Sequence, residues 1–473
     1  MKKIIVINAL VGMFFLSACE KDWLDIEPTT QVQTDKAITT AKDVEYALNG
    51  IYSAMQSSSY YGAQMTYYGD VTGEDMQARS ATKRCAKYYL FEATKDKSFS
   101  DLWSSPYYVI RLSNNILNAI DKVNFADELD KNDFRGQALT LRALALFDLT
   151  RVFGIPYTKD NGESLGAAII TKPMDVSYKP TRNTVAECYT QIIKDLTDAV
   201  PLLKTEKTQG RVNRFAAMAL LARAYLYKND NTNALLTAEN LIAESKTAGY
   251  RLWTNAEYVA AWRQSFTSEV FFEIVNTKTD GSGKESVGYL HWRSGYDDII
   301  LSADFWNLIR KDAADVRLSI INNYSSTRKY LLKYVGNTAT DATEDPRDAN
   351  IPIFRLSEVY LIAAEAAVKE GDDTKASKYL NDIRLRANPA LTPVSGITLD
   401  QVLDERRKEL VGEGHRMFDA IRNNRTINRA GSTHLSALTS ETKSFNWDYY
   451  KIVLPIPKKE MDANTNMVQN PVY

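Results

Sequence analysis

Residues 210–246 read "GRVNRFAAMALLARAYLYKNDNTNALLTAENLIAESK". Apolar residues recur three and four apart on either side of "KNDN", the spacing of two amphipathic helices joined tightly at Asp230. Leu221, Ala222 and Tyr225 in the first half are followed by Ala234 in the second. Residues 354–387, "FRLSEVYLIAAEAAVKEGDDTKASKYLNDIRLRA", repeat the arrangement: Ala364 is followed by Ala376, then by Leu380 and Ile383. In both stretches two alanines stand twelve residues apart. Small residues at such places let two antiparallel helices approach closely.

This spacing resembles the tetratricopeptide repeat. The match is partial, because Ala238 and Leu241 stand where the repeat has an aromatic and a small residue, and Ala367 stands where it has a tyrosine. Helices 131–153 and 184–200 read as a third pair, with a loop of about 30 residues between them. Helical periodicity also marks "AKDVEYALNGIYSAM" (41–55), and "SDLWSSPYYVIRLSNNILNAIDKV" (100–123) with Ser100 or Asp101 as its cap. Residues 250–350 change character. Gly, Asn, Ser and aromatics mix with short apolar runs such as "EVFFEIV", which suggests an irregular region with a few short strands. Helices return to residue 425, and the end, "YYKIVLPIPKKEMDANTNMVQNPVY", reads as extended and proline-punctuated. The fold class is therefore mainly α: tetratricopeptide-like helix pairs form a curved scaffold that supports a loop-rich region.

The N-terminal stretch reads as an address. Lys2 and Lys3 precede an apolar run, Ile4–Leu16, and the small residues Ser17 and Ala18 lead to Cys19. This is the order of a secretory signal, too short to span a bilayer. "LSAC" resembles the lipobox of bacterial lipoproteins, in which cleavage precedes a lipidated cysteine. Residues 1–18 are then the signal peptide, Cys19 the lipidation site, and 19–40 an anchored tether. Several acyl chains hold firmly where one does not.

Composition narrows the function. With 58 Lys plus Arg against 59 Asp plus Glu, the chain has no basic excess for nucleic acid. Cys85 and Cys188 allow one disulfide but no cysteine framework, and Cys188 shares an apolar helical stripe with Val185, Ile192 and Leu196. The 27 Tyr and 7 Trp supply flat apolar platforms as well as core. His291, His415 and His434 fit no zinc-protease pattern, and neither a nucleophile elbow nor a phosphate-binding loop is present. Six ionisable residues, Glu405, Arg406, Glu409, Glu413, His415 and Asp419, crowd the segment 403–422. Charges three and four apart support a helix, and Gly412 and Gly414 allow close packing, so the segment reads as structural.

Several stretches together resemble the SusD/RagB family of outer-membrane lipoproteins of Bacteroidetes-type bacteria. They are "CEKDWLDIEPTT" (19–30), "LWSSPYYVIRLSNNIL" (102–117), "GQALTLRALALFDLTRVFGIPY" (136–157), "GRVNRFAAMALLARAYLY" (210–227), "FRLSEVYLIAAEAAVKEGD" (354–372), "ASKYLNDIRLRA" (376–387), "DERRKELVGEGHRMFDAIR" (404–422) and "LPIPKKEMDANTNMVQNPVY" (454–473). The resemblance implies a single domain over 41–473, with the helical scaffold at 41–250 and 351–425 and an irregular ligand-facing region at about 250–350. It implies a non-catalytic, lipid-anchored protein on the cell-surface side of the outer membrane. Such proteins capture oligosaccharides, or in RagB-type members peptides, for a SusC-like TonB-dependent transporter. No cofactor or metal is implied, and nothing in the sequence indicates calcium.

Sugars offer apolar C–H faces and rings of hydroxyls. A site for them needs aromatic platforms beside planar hydrogen-bonding groups. Two stretches supply these on expected loops. One is "YYGDVTGEDMQARSATKR" (67–84), with Asp75 and Arg79. The other, "GSGKESVGYLHWRSGYDD" (281–298), is the stronger, because Tyr289, Trp292, Arg293 and Tyr296 lie in a glycine-rich setting. Trp103 fits either a ligand platform or core packing.

Overall fold

The structure is a computed structural model that describes residues 37–175, 177–338 and 343–473. The expected signal peptide, Cys19 and nearly all of the tether fall outside the described residues.

Ten helices carry the scaffold: α1 (Ala41–Met55), α2 (Asp101–Ala119), α3 (Glu128–Phe153), α4 (Val185–Ala199), α5 (Arg214–Tyr227), α6 (Asn231–Thr247), α7 (Leu356–Lys369), α8 (Asp373–Ala387), α9 (Leu399–Leu410) and α10 (Arg416–Arg422). From α2 to α8 each of these helices packs against the next, so α6 meets α7 although about a hundred residues separate them in sequence. Ala222, Ala234, Ala364 and Ala376 are fully buried, which puts small side chains at the expected closest approaches. Both tight turns are built alike. A residue in the left-handed region, Asn229 (φ 60°) or Gly371 (φ 77°), precedes an aspartate. That aspartate, Asp230 or Asp372, accepts a hydrogen bond from the backbone N–H three residues on. One hydrophobic core runs through the helices into the irregular region. No helix among the described residues is long and apolar enough to cross a membrane.

The irregular region is held by three two-stranded antiparallel sheets. They pair β1 (Met76–Ala78) with β3 (Ile299–Leu301), β2 (Val270–Ile274) with β6 (Ile351–Arg355), and β4 (Ile321–Asn323) with β5 (Lys329–Leu331). Two expectations change. The C-terminal stretch is not extended throughout, because Pro457 starts a short helix, Lys458–Ala463, braced by Lys458 and Asp462 at 2.9 Å. Ser100 caps α2 by position only, with no side-chain hydrogen bond. The long loop after α3 is a strap fixed to the core: the Arg182 guanidinium donates to the carbonyls of Phe153, Leu165, Gly166 and Val468. Cys85 and Cys188 are both free and buried.

The charged segment 403–422 is a buried hub. Glu409 receives Arg386 at 2.7 Å, Arg355 at 3.2 Å and Arg317 at 3.3 Å. Glu413 pairs with Lys333 and Arg355, Asp419 with Arg406, and Glu365 of α7 with Arg422. The N-terminal part joins through Arg416 to Glu74 and Arg407 to Asp75. Gly412 and Gly414 adopt φ 82° and 81°, and the backbones of Gly69 and Gly414 approach so closely that a Cβ on Gly69 would stand 2.2 Å from the Gly414 carbonyl oxygen.

Asp70 makes this hub pH-sensitive. Its carboxylate accepts from the Gly414 N–H at 2.7 Å. Burial nevertheless raises its pKa to about 7, against those backbone hydrogen bonds and with help from the nearby Asp75 charge. The folded state then holds a proton that the unfolded chain releases near pH 4, so Asp70's contribution is present in acid and is lost as pH rises toward 7. An Asp70→Asn protein keeps an acceptor for Gly414. Urea midpoints across pH 5–8 are expected to show it gaining on the wild type as pH rises, and a difference independent of pH would refute the assignment.

Candidate functional site

The β1–β3 pair places Met76 opposite Leu301 and Ala78 opposite Ile299. The loop leaving β1 therefore lies beside the loop entering β3, and the two stretches singled out in the sequence converge. The Arg79 N–H donates to the Asp298 carbonyl at 2.9 Å, and the Arg79 side chain reaches the Asp297 carboxylate at 2.8 Å. Lys83 and Arg84 both pair with the fully buried Asp298 carboxylate, at 3.1 and 3.2 Å.

These contacts fix an aromatic surface. The Arg84 guanidinium lies 3.8 Å from the centre of the Tyr296 ring, and Tyr289 meets Tyr296 edge-on at 5.2 Å. Trp292 is half-buried at the turn, where the Gly295 N–H donates to its carbonyl at 2.9 Å. Gly295 is required by close approach: a Cβ there would stand 2.6 Å from the Tyr289 carbonyl oxygen. Arg293 is exposed and lies 4.5 Å from the centre of the Tyr324 ring, which projects from the β4–β5 hairpin with about half its surface open. Beneath it, the Tyr330 phenol is pushed up to about 12, chiefly by burial and then by Asp297. The result is a patch of ring faces and guanidinium groups on a rigid, ion-paired base.

None of the three histidines is exposed. His434 is held between Asp304 (2.9 Å) and the Tyr89 hydroxyl (3.0 Å) under the surface. His291 is buried and driven down to about 3 by burial, and His415 is buried and driven low by the same cause and by surrounding arginines. Among the described residues no cluster of three His, Cys, Asp or Glu is placed to hold a metal ion.

Tyr289, Trp292, Arg293, Tyr296 and Arg79 thus come together, and two of the sequence candidates do not. Asp75 is fully buried and points inward, pairing with Arg407 at 2.6 Å, because an isolated carboxylate at that depth needs a cation. Trp103 is 2% exposed and packs edge-on against Phe153 at 4.9 Å in the helical core. Arg84 and Tyr324 were missed. Arg84 lies within a stretch already singled out, whereas Tyr324 carries no local signal beyond its place in "NNYSSTRKY".

Two family models match the chain. The SusD family model covers residues 303–473, and a model described as starch-binding associating with outer membrane covers 22–226. A SusD superfamily protein from Bacteroides vulgatus is 43% identical, with 92% of this chain and 100% of that chain aligned and a TM-score of 0.87. The chain belongs to the SusD family. Another Bacteroides vulgatus structure, provisionally named a sugar binding protein, is 50% identical over 92% of this chain and 99% of that one, with a TM-score of 0.88. The SusD fold also extends to surface glycan-binding protein A of Bacteroides thetaiotaomicron, solved with laminarihexaose. It is 20% identical over 91% of this chain and 100% of that one, with a TM-score of 0.73.

Proposed function

We propose that this SusD-family protein captures oligosaccharides at the cell surface, held to the outer membrane by lipid on Cys19, and passes them without chemistry to a SusC-like TonB-dependent transporter. The observation that carries the reading is the convergence of Tyr289, Trp292, Tyr296 and Tyr324 with Arg79, Arg84 and Arg293 on one braced surface. Aromatic faces take the C–H faces of sugar rings, and guanidinium groups donate to their hydroxyls. Bracing by buried ion pairs lowers the ordering cost of binding. The carbohydrate-related names of two solved relatives and of one matching family model point the same way.

The test is a binding screen of residues 20–473 against purified polysaccharides, by affinity gel and calorimetry. Binding to one class is expected. Silence toward every glycan, with binding of extended peptides, would replace this reading with a RagB-type one. Delivery is tested by co-purification with a SusC-like transporter.

A further inference from the structure

A second, chemically different groove lies away from the aromatic patch. It has two adjoining parts with cavity volumes of about 410 and 760 Å³, which share Gln209 and Val275 in their walls. Volumes of this size are typical of ligand sites. The wall is rich in carboxamides: the exposed Gln209 and Gln264, the half-buried Asn350 and the buried Asn276.

Three features set this groove apart from an ordinary surface cleft. Phe266, part of its lining, is half-buried but stands outside the hydrophobic core, and its backbone is held at φ 56°. Strain of that kind on a bulky residue persists only where its surroundings enforce it. Here the enforcing group is Glu273, whose carboxylate accepts the Phe266 N–H at 2.6 Å and the Asn350 side-chain amide at 3.0 Å, fixing two parts of the wall at once. The third feature is a pair of buried, unpartnered polar atoms: Asn276 Oδ1 in one part and Arg211 Nη1 in the other. Asn276 uses its Nδ2 on the Ala349 carbonyl at 2.9 Å, so its acceptor is free for a ligand. Arg211 lies over the Tyr52 ring, which also packs against Phe272 at 6.0 Å.

We infer that this groove is a second binding site for a neutral, hydroxyl-rich chain, an oligosaccharide segment. Phe266 serves as the ring platform, and Asn276 Oδ1 and Arg211 Nη1 as acceptor and donor. Neutral carboxamides suit hydroxyls, which both donate and accept. The inference goes beyond the proposed function, since it stands whether or not the Trp292 patch binds.

Hydrogen exchange followed by mass spectrometry separates the two. The lipid-free chain is measured with and without a mixture of maltoheptaose, laminarihexaose, cellohexaose and xylohexaose. Slowed exchange at 264–280 is expected, alongside slowing at 289–298 if the aromatic patch also binds. Slowing at 289–298 alone overturns the groove and leaves the proposed function standing. Slowing at 264–280 alone supports the groove and moves the function away from Trp292. No slowing at either overturns both. A Phe266→Asn protein keeps a residue that tolerates the left-handed backbone. It is expected to lose the slowing at 264–280 and to retain any at 289–298, and unchanged slowing at 264–280 would overturn the assignment.

Discussion

A Glu409→Ala protein is expected to lose about 3–5 kcal/mol of stability, the cost of breaking a buried ion pair from one side. The Glu409 side chain is fully buried, and burial alone would raise its pKa. Arg386, Arg355 and Arg317 outweigh that and hold it well below the usual carboxylate range. Deleting the carboxylate leaves three buried guanidiniums with one fewer counter-charge. The loss is uneven. Arg317 keeps Asp315 and Glu405, and Arg355 keeps Glu269 and Glu413, whereas Arg386 keeps only a 3.4 Å contact with Glu269. Adding Arg386→Met should therefore recover part of the loss. Urea unfolding of the wild type, both single variants and the double variant closes the cycle, and a Glu409→Ala cost below about 1 kcal/mol would mean that the hub does not bear on stability. Glycan affinity of the folded fraction is expected to stay at the wild-type level, which separates the hub from the site.

The helical half of the fold is written in local periodicity. The Ala222–Ala234 and Ala364–Ala376 spacings, with an aspartate opening the second helix of each pair, are visible within one window of sequence because all the interacting positions lie in it. The site is less legible because its geometry comes from distant pairings. β1 and β3 have three residues each, too few for alternation to register, yet their pairing brings Arg79 to Asp297. Asp75 looks like any loop carboxylate until Arg407 arrives from 332 residues away. Trp103 is a different case: of the two roles its sequence allows, core packing is the one found. It shares the α2 face of Pro106, Ile110 and Ser113, all buried at spacings of three and four, a periodicity that favours the core.

Replacing both Trp292 and Tyr296 by alanine is expected to lower affinity for the bound glycan by about a hundredfold, roughly 3 kcal/mol, the size of a binding hot spot. The two rings contribute differently. Tyr296 has one face covered by Arg84 at 3.8 Å and one flank by Tyr289. It also packs against the hydrophobic core, so Arg84 and the core together set its orientation. Trp292 is the larger ring, so Trp292→Ala alone should account for most of the loss, about ten- to thirtyfold. Arg84→Met removes the charge stacked on Tyr296 but keeps an apolar side chain, and is expected to weaken binding less than Tyr296→Ala does. All of these positions are partly exposed, so thermal midpoints should change little. Calorimetry with the glycan class found by the screen reads the result. Equal affinity in the double variant, with the fold intact, would remove the aromatic patch from the site. A Trp103→Phe protein supplies the matching control: it alters the core beneath α2 and is expected to leave affinity unchanged.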